Sequence, residues 1–167
     1  MKKLIKFRRD YFLACADDGT TLQEARLAIQ SHPLRAGLGD FIEASLCRLL
    51  IVNRVAFVEN LLNYWKELDQ HEVLKAYFPA KQNDREVSNE DRLHSLMSAF
   101  EREDFDVDDG VFKKYLALKY FRNFIMHGNL KPHEKDVLKE QNFPSDLMQL
   151  NVEHSKEVVR VTSEMIR

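Results

Sequence analysis

DFIEASLCRLLIVNRVAFVENLLNYWKELD, residues 40–69, runs without a glycine or a proline, and its reading decides the fold class. Phe41, Ile42, Leu46, Leu49, Leu50, Val52, Phe57, Val58, Leu61, Leu62 and Trp65 spread apolar surface around much of a helical circumference. A helix apolar on that many sides is covered on several of them, so it belongs at the centre of a bundle. Arg48, Asn53 and Arg54 are unusual on such an element. They are expected to lie on a narrow solvated strip or to pair with Glu43 and Glu59. The same five polar side chains argue against a membrane helix, because charges in hydrocarbon are costly.

Working outward, residues 4–16 read as a first helix, stopped near Asp17-Asp18-Gly19. Thr21-Leu22-Gln23-Glu24 has capping-box spacing and predicts a short amphipathic helix that ends at Ser31-His32-Pro33. Gly37 and Gly39 then predict a turn before the long helix starts at Asp40. Beyond it, residues 71–78 read as a short helical continuation stopped by Pro79, and residues 80–89 as a polar surface loop. Ser88 is placed to cap a helix carrying Leu93, Leu96, Met97 and Phe100. An acidic loop over 103–110 offers Asp108 or Asp109 as the N-cap of a helix over 111–127. Residues 129–142 read as irregular, with one helical turn, and Ser145 opens a terminal helix with Leu147, Leu150, Val152, Val158, Val159, Val161 and Ile166 as its apolar set. Five glycines and four prolines leave little room for many short strands, and none is expected. The fold predicted is all-α: a single domain over residues 1–167, a bundle of five to seven helices around a long central one.

A formal net charge of -2 gives no global basic field, so a nucleic-acid partner would have to be held by a local patch. Cys15 and Cys47 form no CxxC pair and predict reduced, buried thiols in a cytoplasmic protein. The basic start at Lys2, Lys3 and Lys6 resembles a signal peptide, but the apolar run from Tyr11 to Ala16 is too short for one.

Most chemistry with a local signature fails on inspection. Asp104, Asp106 and Asp108 begin like a calcium loop, yet Asp109 stands where glycine is needed and Tyr115 where a bidentate glutamate is needed. His71-Glu72 and His133-Glu134 lack the second histidine of a zincin helix. Neither a phosphate-binding glycine loop nor a GxSxG elbow occurs. His32, His94 and His154 are isolated and read as structural or solvent-exposed. No metal or cofactor is expected.

One constellation survives, in Leu118-Lys119-Tyr120-Phe121-Arg122-Asn123-Phe124-Ile125-Met126-His127-Gly128. Asn123 and His127, four apart, stack on one helical face, with Arg122 at its edge. A histidine in the last turn followed by glycine is also what a well-capped helix end looks like. Arg122-Asn123-Phe124-Ile125-Met126-His127 resembles the motif of arginine, polar residue, then histidine that marks HEPN domains, small helical bundles found in ribonuclease toxins, anti-phage systems and RNA-processing enzymes. The resemblance implies a homodimer whose two motifs face each other across a cleft and cleave RNA there without metal. It implies that His127 is the acid and base at the ribose 2′-OH or the leaving oxygen, a task for a side chain that titrates near neutrality. Arg122 would hold the scissile phosphate and Asn123 would orient the phosphate or the imidazole, leaving a 2′,3′-cyclic phosphate and a 5′-OH. The setting implied is toxin–antitoxin or phage defence. Some toxins of this kind carry a tyrosine two residues after the histidine, where they are adenylylated by their antitoxin; here Asn129 stands there, and Tyr115 and Tyr120 do not replace it. Another antitoxin or regulatory protein stays open. So does a non-catalytic HEPN-like module that binds RNA, nucleotide or a protein partner.

Overall fold

The computed structural model describes residues 21, 24, 35–68, 73–76, 81–82, 85–103 and 107–167. The predicted helix over 4–16, Cys15, His32, the Ser31-His32-Pro33 stop and the calcium-like acids Asp104 and Asp106 lie outside them. The described chain is all-helical apart from one minimal ladder. Helix α1 spans Arg35–Leu68, α2 Asn89–Arg102, α3 Asp109–His127, α4 Pro132–Glu140 and α5 Val152–Glu164, with 3₁₀ turns at Val73–Ala76 and Leu147–Gln149. Strands β1 (Lys81–Gln82) and β2 (Arg85–Glu86) pair antiparallel, Lys81 with Glu86 and Gln82 with Arg85, inside the stretch predicted as a polar loop.

Helix α1 is the central element. It packs against α3, α5 and both 3₁₀ turns, while α3 also meets α2, α4 and α5. Leu50, Ile51, Val55, Val58 and Leu62 of α1 are fully buried against Tyr115, Leu118 and Phe121 of α3, Leu138 of α4, and Val158 and Val161 of α5. Each such side chain contributes about 1.5–3 kcal/mol of burial. Phe121 stacks at an angle on Phe124 and Phe143, with ring centroids 6.2 and 6.3 Å away, and so ties α3 to the chain after α4.

Three boundaries differ from the sequence expectation. Helix α1 starts at Arg35, so Gly37 and Gly39 lie within it. A glycine costs a helix about 1 kcal/mol relative to alanine, a penalty the burial downstream outweighs. Residues 129–142 hold the whole of α4, because Pro132 occupies the first helical position, where its missing N–H is harmless. The Lys131 N–H donates to Glu134 Oε2 at 2.8 Å and completes that start. The helix ends in a Schellman motif: Phe143 N–H donates to Leu138 O and Asn142, at φ 60°, donates to Lys139 O. Ser145 does not open the last helix. Asn151 does, its Oδ1 accepting from the N–H groups of Glu153 and His154.

The predicted caps of α2 and α3 are present. Ser88 Oγ accepts from Asp91 N–H at 3.0 Å, and Asp108 Oδ1 accepts from Gly110 and Val111 N–H at 2.8 and 3.3 Å. No helix of the described residues is long and apolar enough to cross a membrane.

Candidate functional site

The candidate residues sit on the last two turns of α3. Leu118, Tyr120 and Phe121 bury that segment, and burial falls away from Arg122 onward as the helix leaves the core. Gly128 closes it at φ 67°, and its N–H donates to Phe124 O at 2.8 Å. His127 is the last helical residue and is exposed, as is Met126 at 57%. An imidazole there faces the negative end of the helix dipole.

Arg122 turns the other way, toward α1. Its Nη2 donates to both carboxylate oxygens of Glu59, at 2.8 Å each. One turn back on α3, Lys119 Nζ lies 3.2 Å from Glu59 Oε1. The exposures of the three side chains are 26% for Arg122, 26% for Glu59 and 3% for Lys119. Glu59 thus joins a buried ammonium and a half-buried guanidinium across the α1–α3 contact. Arg122 Nε is buried and has no hydrogen-bond partner.

Five residues separate Arg122 from His127, which puts them about 140° apart around the helix axis. No hydrogen bond joins the side chains of Arg122, Asn123 and His127 to one another among the described residues. Asn123, half-buried, lies between the two in angle. The three predicted residues therefore share one helix end without converging on one point.

Glu59 and Lys119 were not among the sequence candidates. The signal was available in part: Glu59 is the sole carboxylate of the chain between Glu43 and Glu67, and Lys119 precedes Arg122 by three residues, hence on the same side of α3. Nor does Glu59 pair with the arginines of its own helix. Arg48 donates to Leu147 O at 2.9 Å and to Ser45 Oγ at 2.7 Å, pinning the second 3₁₀ turn to α1. Burial makes the charged form of Arg54 less favourable, lowering its pKa, and its Nε has no partner.

Among the described residues, the other histidines are structural or exposed. His154 Nδ1 accepts from Asn151 N–H at 3.2 Å, and burial lowers its pKa. His133 sets its ring edgewise on Tyr120, centroids 6.0 Å apart, and His94 is exposed. No cluster of three metal-ligating side chains forms among the described residues. In comparisons with known proteins, no family model, curated protein or solved structure matches this chain.

Proposed function

We propose that the chain is a HEPN-type endoribonuclease that cleaves RNA without a metal, acting in a toxin–antitoxin or phage-defence setting. One observation carries this: the closing turns of α3 hold a guanidinium anchored by Glu59 and, beyond it, an exposed imidazole at a glycine-terminated end. His127 takes the proton of a ribose 2′-OH or returns one to the departing 5′-oxygen. The 2′-oxygen attacks phosphorus, the bond to the 5′-oxygen breaks, and the products carry a 2′,3′-cyclic phosphate and a 5′-OH. Arg122, permanently charged, holds the phosphate oxygens as charge builds on them. Asn123 offers an amide to the same group.

The angle between Arg122 and His127 bears on how many chains take part. One helix presents them on different faces; in the homodimer that the HEPN resemblance implies, the two motifs face each other, and the His127 of one copy works with the Arg122 of the other. Two arginines then supply the local basic cleft that a net charge of -2 denies to the single chain.

One observation favours a second reading, a HEPN-like module that binds RNA, nucleotide or a protein without cleaving it. Glu59 already occupies Nη2 of Arg122, which reduces the charge left for a transition state. Incubating single-stranded RNA with the purified protein in EDTA, with the oligomeric mass measured in parallel, separates the two. Cleavage in EDTA by a dimer supports the ribonuclease; intact RNA with a folded dimer supports the binding module.

A further inference from the structure

Burying an ammonium is costly, and a well-packed apolar side chain of similar volume usually serves a core as well or better. Lys119 is nevertheless 3% exposed in the α1–α3 contact, beside a carboxylate that also serves Arg122. Counted over the three side chains, two cations share one anion. Glu59 is divided between them, and Arg122 is the more accessible of the two cations.

We propose that Lys119 is a positioning residue that holds Glu59 in shared use and so keeps Arg122 available to an anionic phosphodiester of single-stranded RNA. The inference rests on the functional reading above as to ligand class, and it adds the group that sets the strength of the arginine. Lys119 is too deeply buried to touch RNA itself. Without it, Glu59 serves Arg122 alone and the guanidinium is neutralised where it stands. With Lys119 present, a phosphate oxygen meets an arginine whose counter-charge is already partly committed. Of the three side chains, only Arg122 has the exposure and the permanent charge to make that contact.

The experiment is fluorescence anisotropy of a labelled single-stranded RNA oligonucleotide at low salt, with cleavage followed on the same samples. Lys119→Met is expected to weaken binding about three- to tenfold while the protein stays folded, and Lys119→Arg to restore it. Glu59→Gln, which releases Arg122, is expected to tighten binding, a change of opposite sign that does not depend on Lys119→Met folding. In an Arg122→Ala background, Lys119→Met is expected to have no further effect, whereas a merely structural role would give additive losses. Equal binding by wild type, Lys119→Met and Glu59→Gln, or additive losses in the double variant, overturns the proposal. Binding without cleavage overturns the ribonuclease reading alone; no RNA binding by wild type overturns both.

Discussion

Glu59 on α1 accepts a hydrogen bond on each of its carboxylate oxygens from a single nitrogen of α3, Arg122 Nη2, at 2.8 Å. This contact, with Lys119 at 3.2 Å behind it, makes one carboxylate part of the packing and of the proposed chemistry at once. Removing it takes from a buried ammonium the carboxylate it pairs with. Glu59→Ala is therefore expected to lower stability by about 2–4 kcal/mol, whereas Lys119→Met stays within about 1 kcal/mol of wild type or exceeds it. Urea unfolding of the two variants reads the difference, and equal losses would count against a shared carboxylate.

Gly128 holds α3 closed at φ 67°, and a Cβ built there meets nothing within 4 Å. Its substitution should thus cost conformational energy alone. Gly128→Ala is expected to lose about 1–2 kcal/mol and Gly128→Asn less, because asparagine tolerates the left-handed region. Thermal unfolding checks this; equal losses for the two would mean the turn relaxes instead of straining.

Glu157 clasps α3 to α5. It accepts from Arg160 Nε and Nη2 at 2.8 Å and pairs with Lys114, and these hydrogen bonds, led by Arg160, hold its pKa down to about 2 from an ordinary 4.5. A carboxyl depressed by folding adds stability that is complete above its unfolded value and is lost as pH falls through the folded one. Wild type should accordingly lose more stability between pH 4.5 and pH 2 than Glu157→Gln, measured by denaturant unfolding at each pH. Parallel profiles would remove Glu157 from the acid response. The side chain is half-buried and still reached by solvent, so the difference is expected to shrink in high salt.

What could be read from the sequence was local. Ser88 and Asp108 cap through their own next few N–H groups, and Gly128 stops a helix by its backbone alone, so each was legible from neighbours in the chain. The apolar run of α1 was legible for the same reason. Pro132 and the Gly37/Gly39 pair misled because their meaning depends on position: proline at the first helical residue begins a helix, and glycine inside a well-buried helix does not end one. Glu59 was invisible as a partner of Arg122 because the two are brought together only when α1 and α3 pack. Sequence proximity pointed instead to the polar residues of its own helix, Arg48, Asn53 and Arg54, none of which takes part in that contact.

Expression in cells offers a test of the biological setting. A toxin or phage-defence nuclease should slow growth when produced alone, and Arg122→Ala and His127→Ala should each relieve the defect. Growth curves at matched protein levels read this. Equal toxicity from all three, or none from any, would remove the toxin setting.

The central proposal stands or falls on His127 and RNA. Single-stranded RNA is incubated in EDTA with wild type and with His127→Ala, and the product ends are identified by mass. The expected result is cleavage by wild type leaving 2′,3′-cyclic phosphate and 5′-OH ends, reduced about a hundredfold or more by the substitution with the fold intact. Intact RNA with folded, dimeric wild type, or equal cleavage by His127→Ala, would contradict it.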